Sequence, residues 1–383
     1  MIKFAVYLAE EAEKKLKHIT HIEDHVIDSG HEGFNTAVKS LYKAKEHIES
    51  GKVNPDVTTK YDGSPSVVFG HHPETGKFFV ASKSAFNKDP KINYTADDIE
   101  RNHGHAPGLV DKLKAALEHL HKIAPNKGVF QGDIMHTPSD HEEHKDGSVS
   151  FKPNTIEYHA QGGDADTVKK SKIGIVAHTE YKGKDFESMA AEPLRSAGTF
   201  GHHADVHQIS PLYKGDGKPM SRRDSNAIHD HIETAAKANR QIEHSVIAPH
   251  RALINTYINK TVREGSTPTT DGLRSHIVQQ HQKAIDSVKT EKAKQSKKAV
   301  MNSALTDMDT NAEHFTNLLT AQHHLQQAKH ILVKHMNKHF EGLAHKIDGK
   351  ESNPEGYVVS HEGSLSKLVD RAEFSAANFR PRD

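Results

Sequence analysis

The spacing of apolar residues changes along the chain, and each change predicts a different kind of structure. Near the N-terminus apolar side chains recur every three or four residues, the period of one buried helix face. Residues 3–48 therefore predict two helices. The stripes that indicate them are Phe4, Leu8, Ala12 and Leu16, followed by Phe34, Ala37, Val38, Leu41 and Tyr42.

Beyond about Asp56 the apolar period shortens to that of strands. Short β-rich runs at 56–60, 66–70 and 77–82 are separated by turns rich in glycine and proline, which predicts an antiparallel meander. A helical pattern follows at 109–123. Further strand-like runs lie at 128–135, 154–159 and 172–180. We therefore expect an α+β fold with an antiparallel sheet.

The last third of the chain changes character twice. Long polar helical patterns without strand signals occupy 221–340, and two short strand-like runs return at 356–359 and 365–369. A helical block is thus predicted to interrupt a β-rich domain. The sequence-based division is an N-terminal helical unit at 1–50, a β-rich domain at 51–215 plus 346–383, and an all-helical insertion at 216–345.

Composition narrows the classes of protein. The 383 residues include no Cys, which excludes disulfides, thiolate metal sites and cysteine nucleophiles. No apolar run approaches the roughly 18 residues needed to cross a bilayer, and the N-terminus lacks a signal-peptide pattern. We therefore expect a cytoplasmic protein without a membrane partner. The sequence leaves the oligomeric state open.

The net charge of the chain restricts how a polyanionic partner could bind. Fifty-one Lys+Arg balance 51 Asp+Glu, and the 33 His residues leave the net charge at zero only while they are neutral. The ordinary imidazole pKa is about 6.5, so mild acidification is expected to make the chain cationic. At neutral pH a nucleic acid would have to bind in a local basic groove rather than through the overall charge.

The sharpest local feature is the segment Thr59–Pro65, in which Lys60 ends a strand and is followed by Asp62 and Gly63. An amine with an ordinary pKa near 10.4 costs about 4 kcal/mol to deprotonate at neutral pH, so a nucleophilic lysine needs desolvation or nearby cations. The alternative interpretation is a simple turn with an exposed lysine, because Asp-Gly turns are common.

Three more charged residues stand within or beside strands. Asp133 follows a glycine inside an apolar strand, where an acid is costly unless it is paired or contacts a ligand. Glu355 precedes the strand at 356–359, and Lys367 lies inside the strand at 365–369. For each residue alone, an ordinary strand-end charge is the simpler explanation.

Taken in their order along the chain, the segments around Lys60, Asp133, Glu355 and Lys367 resemble the motifs of the covalent nucleotidyltransferase superfamily of polynucleotide ligases and mRNA-capping enzymes. They are most similar to those of phage-type ATP-dependent RNA ligases. Lys60–Gly63 looks like the KxDG nucleophile motif of the family. The segments that look like its later motifs are Phe130–Asp133, Ile173–His178, Glu355–Val359 and Ser366–Val369. The resemblance covers roughly residues 56–180 and 350–370.

The resemblance implies an antiparallel-sheet adenylation domain and a three-step reaction. Lys60 would attack the α-phosphate of ATP, the AMP would pass to a 5′-phosphate end, and a 3′-hydroxyl would displace it. The implied cofactors are ATP and Mg²⁺ or Mn²⁺. The implied partner is a nucleic-acid strand end, with RNA favoured over DNA, in the cytoplasm of the cell or of a host if the protein is phage-encoded.

The resemblance also implies roles for individual residues. The expected catalytic residues are Lys60, Asp62, Glu355 and Lys367. The expected nucleotide-binding residues are Lys60, Gly63, Lys83, Asp133, Ile175, His178 and Lys367. The expected metal ligands are Glu355 and Asp133.

Three features depart from the family pattern. The final motif has one lysine where two are usual, the 16 residues after Lys367 are too few for an OB-fold domain, and the helical block separates the acidic motifs. The lysine-rich stretch 289–298 of that block could track a phosphate backbone or form a solvated helix face. His335 with His339, and the histidines near Asp205, have metal-ligand spacing, but such spacings arise by chance among 33 His.

Two alternative functions stay open. One is a DNA ligase or an RNA-capping guanylyltransferase of the same superfamily. The other is a noncatalytic, histidine-rich nucleic-acid-binding protein on a decayed nucleotidyltransferase core, as the single lysine of the final motif would suggest.

Overall fold

The computed structural model describes residues 19–50, 55–194 and 196–371, so the predicted helix carrying Phe4 to Leu16 lies outside the described residues. Within these ranges the strands are β1 (Thr20–His21), β2 (Val57–Lys60), β3 (Ser66–His71), β4 (Phe78–Ala81), β5 (Val129–His136), β6 (Glu142–Glu143), β7 (Val149–Phe151), β8 (Glu157–Ala160), β9 (Ile173–Lys182), β10 (Ala190–Pro193), β11 (Val206–Gln208), β12 (Ala344–Ile347), β13 (Lys350–Ser352), β14 (Gly356–His361) and β15 (Ser364–Val369).

The helices of the same ranges are α1 (His25–Ser50), α2 (Ala96–His103), α3 (Pro107–His119), α4 (Gly162–Lys170), α5 (Arg222–Asn239), α6 (His244–Ile247), α7 (Arg251–Glu264), α8 (Thr270–Asp286), α9 (Glu291–Thr310) and α10 (Ala312–Lys338). Short 3₁₀ helices include Ile22–Asp24 and Lys83–Phe86. The α+β class is confirmed. None of the helices within the described ranges is long and apolar enough to cross a membrane.

The chain divides into two compact units. Among the described residues, the first contains 55–214, apart from residue 195, and 340–358; the second contains 20–50, 215–339 and 359–371. Helix α1 thus belongs with the helical block, whereas the sequence-based division set residues 1–50 apart. Helix α1 packs mainly against α10, and sequence periodicity does not name the partner of a helix.

A six-stranded sheet forms one layer of the first unit. Its strand order is β10-β9-β5-β3-β4, with β11 added in parallel beside β9 and the other neighbours antiparallel. Its first face packs on α2 and α3 through a core that includes Phe69, Phe130 and Leu113. Strand β2 is not in this sheet, so the predicted three-strand meander is wrong: only β3 and β4 pair, because the segment 61–65 redirects the chain after β2.

A second, five-stranded antiparallel sheet completes the first unit. Its order is β13-β12-β8-β7-β6, so two strands from near residue 350 pair with three from 142–160. Along β8 the buried residues Tyr158 and Ala160 alternate with the half-buried residues Glu157 and His159. Because successive side chains point to opposite faces, this strand presents an aromatic face and a polar one.

The second unit is mainly helical. Helix α10 packs against α5 and α1, and α8 packs against α9. Helix α1 changes direction at Gly30, whose φ of 61° lies in the left-handed region that glycine tolerates. Strand β1 pairs in parallel with β15. The lysine-rich stretch 289–298 runs into α9, which is exposed along most of its length.

Candidate active site

Lys60 and Glu355 meet although 295 positions separate them in the sequence. Lys60 is the last residue of β2, and Glu355 directly precedes β14, which β2 approaches where Thr58 Oγ1 donates to the Val358 carbonyl at 3.5 Å. The Lys60 ammonium donates a hydrogen bond to the Glu355 carboxylate. The two side chains are 31% and 17% exposed, so the pair is sheltered yet reachable from solvent.

Asp62 fixes the turn that follows Lys60. Its Oδ1 accepts a hydrogen bond from Asn154 Nδ2 at 2.8 Å, and its Oδ2 accepts from the backbone N–H groups of Thr155 at 2.9 Å and Ile156 at 3.2 Å. The Asp62 N–H in turn donates to the Tyr158 hydroxyl at 2.7 Å. Four hydrogen bonds therefore tie the turn to the five-stranded sheet, and Asp62 acts as a positioning residue.

Gly63 lets the same turn pass directly over β5. The Ser64 N–H donates to the Ile134 carbonyl and the Ile134 N–H donates to the Pro65 carbonyl, both at 3.0 Å. A Cβ atom on Gly63 would lie 2.6 Å from the Cβ of Asp133, closer than van der Waals contact permits. The absence of a side chain at Gly63 therefore brings the turn against Asp133.

Asp133 is held as a carboxylate on the second face of the six-stranded sheet. Its Oδ2 lies 3.5 Å from His178 Nε2. Burial acts to raise the pKa of Asp133, but the hydrogen bond and charge of His178 act in the opposite direction. A hydrogen bond with Ser66 and the charge of Lys60 add to the lowering, so the pKa lies below its ordinary value. The carboxylate is ionised and close enough to Lys60 to feel its charge.

Ile175 lies on the other face of that sheet. It is 2% exposed and belongs to the core formed with α2 and α3. In the antiparallel register Val176, not Ile175, stands opposite Asp133. Side chains alternate along a strand, so Val176 shares the face of Asp133 and the expected role of Ile175 beside a nucleotide does not match its placement.

Lys83 stands at the edge of the same face. It is exposed at the start of the 3₁₀ helix that follows β4. Strand β4 ends at Ala81, opposite Val68 of β3, and Ser66 at the start of β3 pairs with Asp133. Lys83 therefore follows the end of β4 that lies toward the same end of the sheet as Ser66 and Asp133.

Lys367 belongs to the second unit. It lies in β15, opposite His21 of β1 in the parallel register. The pKa of His21 is lowered to about 3, chiefly by burial and further by the charges of Arg371, Lys329 and Lys367.

The sequence-predicted residues that the first unit brings together are Lys60, Asp62, Gly63, Asp133, His178 and Glu355, with Lys83 at the rim.

An aromatic wall beside Lys60 has no counterpart in the sequence-based prediction. The Tyr61 ring lies 5.9 Å from that of Tyr158 and 6.4 Å from that of His345, between centroids. Burial raises the pKa of Tyr61 to about 12 and lowers the pKa of His345 to about 4, so both rings are neutral at pH 7. The alternation of polar and apolar residues from Glu157 to Ala160 predicts a strand, but it does not indicate that Tyr158 lies beside Tyr61.

Comparison with known proteins identifies the family. A family model described as a family of unknown function, DUF6267, matches residues 16–382. The chain belongs to this family. No curated protein and no solved structure matches it. The match covers both compact units, and because the family description carries no activity, the site geometry is the basis for assigning a function.

Proposed function

We propose that this protein is an ATP-dependent polynucleotide ligase that joins 5′-phosphate and 3′-hydroxyl ends through a lysyl-AMP on Lys60, with RNA favoured over DNA. The observation that carries the proposal is the convergence of Lys60 with Glu355 and Asp133. These residues come from three distant segments, and their order along the chain is that of the superfamily motifs they resemble. In a simple exposed turn, Lys60 would not be expected to lie near two acids that belong to the other segments resembling motifs of the same superfamily.

The chemistry of the first step follows from the Lys60–Glu355 contact. The Nζ lone pair of Lys60 forms a bond to the α-phosphorus of ATP while the bond from that phosphorus to the pyrophosphate oxygen breaks. Nζ must also lose a proton. The Glu355 carboxylate already accepts a hydrogen bond from Nζ, so it is placed to receive that proton. Pyrophosphate leaves and AMP stays on Lys60.

The remaining groups would position the nucleotide and divalent ion. Mg²⁺ in proteins is usually held by one or two carboxylates together with phosphates and water, and Glu355 with Asp133 fits that donor set. A bound Mg²⁺ or Mn²⁺ would neutralise phosphate charge. Asp133 could also accept a hydrogen bond from a ribose hydroxyl, and Lys83 supplies an exposed cation after β4.

Two further steps complete strand joining. A 5′-phosphate oxygen would attack the phosphorus of lysyl-AMP, which breaks the N–P bond and returns the amine to Lys60. A 3′-hydroxyl would then attack the activated 5′-phosphate and release AMP. Phosphoryl transfer of this kind depends mainly on positioning and charge neutralisation, which the fixed turn at Asp62 and Gly63 favours.

Covalent labelling tests the proposal. The protein is incubated with α-³²P-labelled ATP or GTP and Mg²⁺, then separated under denaturing conditions. We expect label from ATP on the parent protein and none on Lys60→Ala. The matched control is Lys77→Ala, an exposed lysine in the β3–β4 loop, which should label like the parent. Absence of label from both nucleotides, or full labelling of Lys60→Ala, would refute the proposal.

Labelling also separates the alternatives. Labelling by GTP alone would indicate a capping guanylyltransferase. No labelling by either nucleotide, together with nucleic-acid binding, would indicate a noncatalytic binding protein. If ATP labels Lys60, sealing assays on single-stranded RNA, nicked RNA and nicked DNA would identify the substrate, and we expect an RNA to be sealed faster than nicked DNA.

A further inference from the structure

A second group of polar side chains lies on the opposite face of the five-stranded sheet from the aromatic wall. His144, Glu157 and His159 each offer one ligating atom, and these atoms lie within 4.8 Å of one another. Tyr158, between Glu157 and His159, reaches the Asp62 turn. Because side chains alternate along β8, Glu157 and His159 point the other way and are not part of the candidate active site.

A ring nitrogen of His159 lies beside the carboxylate of Glu157. The His159 side chain is 10% exposed, and its Nε2 is 2.6 Å from Glu157 Oε1. Nε2 is buried, and this contact lacks the geometry of a hydrogen bond. Buried polar atoms in native proteins nearly always have a partner in good geometry, and a cation bound beside this nitrogen and the carboxylate would provide one.

A tight turn holds His144 beside His159. The turn joins β6 to β7: the Gly147 N–H donates to the His144 carbonyl at 3.0 Å, and the His144 N–H donates to the Ser148 carbonyl at 2.9 Å. Gly147 has a φ of 85°, which favours glycine. His144 Nε2 lies 2.9 Å from the hydroxyl of Ser150, the residue paired with His159. The ring is therefore fixed before any ligand binds.

We propose that His144, Glu157 and His159 form a binding site for a Zn²⁺-class divalent cation, with water in the fourth position. Two imidazole nitrogens and one carboxylate suit Zn²⁺, whereas Mg²⁺ and Ca²⁺ prefer oxygen donors alone. Tetrahedral Zn²⁺ with bonds near 2.1 Å keeps its donors about 3.4 Å apart, so from separations within 4.8 Å each pair of donor atoms needs to change its distance by no more than roughly 1.5 Å.

The ion would tie the β6–β7 turn to β8. That strand also carries Tyr158, which receives the hydrogen bond from the Asp62 turn. The ion thus stabilises the sheet behind the candidate active site without touching the nucleotide. The inference is independent of the proposed ligase activity and would stand if that activity were refuted.

Zinc binding by the full chain tests the inference. The protein is stripped with a chelator and titrated with ZnCl₂ in competition with a chromophoric zinc indicator. Because other histidines of the 33 can bind zinc weakly, the result is the difference between parent and variants. We expect His144→Gln and Glu157→Gln each to lose one tight equivalent, with affinity at that site falling at least tenfold. The matched control His105→Gln, an exposed histidine of the same unit, should keep it.

Two further readouts keep the test decisive. Zinc should raise the melting temperature of the parent and of His105→Gln, but not of His144→Gln, whose folding is checked by circular dichroism. Co²⁺ should give the intense visible absorption of a tetrahedral site in the parent and in the His105→Gln control, but not in His144→Gln. A parent that binds no tight zinc, or a folded His144→Gln that binds zinc like the parent, would overturn the inference.

Discussion

Each unit of the molecule contains a lysine that contacts a glutamate, and the two pairs differ in burial. Lys60 and Glu355 in the first unit are 31% and 17% exposed. Lys329 and Glu23 in the second are 2% and 0% exposed, with Nζ 2.7 Å from Oε1. Solvent reaches the first pair, whereas the second is buried among helices. A Lys–Glu ion pair alone therefore does not distinguish a proposed nucleophile from a structural lysine, but the exposure of the pair does.

The surroundings of the buried pair strengthen this contrast. Arg371 Nη1 lies 2.7 Å from Asp24 Oδ2, and Gln322 Nε2 donates to the other Asp24 oxygen at 3.2 Å. Burial acts to raise the pKa of Glu23, but the charges of Lys329, His21 and Arg371 and the hydrogen bond from Lys329 together outweigh it and lower the pKa to about 2. Burial raises the pKa of Asp24 to about 6. The cluster is a structural network with charges matched inside a helical core.

Replacing Lys329 should therefore mainly lower the stability of the protein, whereas replacing Lys60 should mainly abolish labelling by ATP. Lys329→Met leaves Glu23 buried without its main counter-charge, which costs roughly 3–5 kcal/mol in the free energy of unfolding. Lys60→Met should cost at most about 1 kcal/mol, because its pair is partly exposed. Denaturant unfolding of both variants measures the difference.

ATP labelling provides the second half of that comparison. Lys60→Met should lose all label while staying folded, and the folded fraction of Lys329→Met should keep it. Equal destabilisation by the two substitutions would contradict the distinction between an accessible and a structural lysine.

Gly63 should be intolerant of a side chain. In Gly63→Ala the new Cβ would meet Asp133 Cβ at 2.6 Å and Met135 Sδ at 2.8 Å, so we expect a loss of roughly 1–3 kcal/mol in stability and weaker labelling. The matched control is Gly108→Ala at the start of α3, where a Cβ meets nothing within 4 Å. It should be neutral or slightly stabilising. Thermal unfolding that ranks the two variants the other way would disprove the close approach.

Asp62 should affect the site through the position of the turn. In Asp62→Asn one acceptor oxygen becomes a donor, which breaks a hydrogen bond from the 154–156 loop and costs about 1–2 kcal/mol in stability. We expect slower labelling with an unchanged pH profile, because the residue does not exchange protons in the reaction. Asp89→Asn, at an exposed loop position, is the control and should match the parent. A labelling rate equal to that of the parent would remove Asp62 from the site.

Acid should destabilise the aromatic wall that Tyr61, Tyr158 and His345 form beside Lys60. Burial lowers the pKa of His345 from 6.5 to about 4, so the unfolded chain binds the proton more tightly than the folded one. The stability that the neutral ring contributes is complete above pH 6.5 and is lost progressively between pH 6.5 and 4. In His345→Phe the loss of stability between pH 7 and 5.5 should be smaller than in the parent by about 1 kcal/mol.

Denaturant unfolding at the two pH values measures this effect, and an identical pH dependence in parent and variant would contradict it. Burial lowers the pKa of several other histidines, among them His136, His207 and His244. These residues stay neutral when the pH falls just below 6.5. Mild acidification therefore makes the chain less cationic than the histidine count alone predicts.

The sequence predicted the secondary-structure elements better than it predicted which elements pair or pack together. Strands β3, β5, β9 and β14 and the helical block follow from apolar periodicity, which is a local property. Which elements pair or pack together is not a local property, so the exclusion of β2 from the six-stranded sheet and the grouping of α1 with the helical block were missed. The face of Ile175 was also missed, because a continuous apolar strand buried on both sides gives no signal for which side a residue faces.

The candidate site shows the same limit. The sequence singled out Lys60, Asp133 and Glu355 because each is a charge in an apolar or turn setting, and their order along the chain is that of the superfamily motifs they resemble. His345 and Tyr158 were not found, since they are ordinary aromatic residues until sheet pairing sets them beside Tyr61. Of the proposed metal ligands, Glu157 and His159 gave a weak signal, because they alternate with apolar residues along a strand. His144 gave none, because the folded turn is what brings it beside them.

The most direct measurement of the central claim is to locate the nucleotide on the chain. The parent protein is incubated with ATP and Mg²⁺, digested under conditions that preserve a phosphoramidate bond, and analysed by tandem mass spectrometry. We predict AMP on Lys60 alone, with no adduct on Lys329 or on the control Lys77. AMP on a different lysine, or no lysine adduct in a protein that binds ATP, would contradict the assignment of Lys60 as the nucleophile.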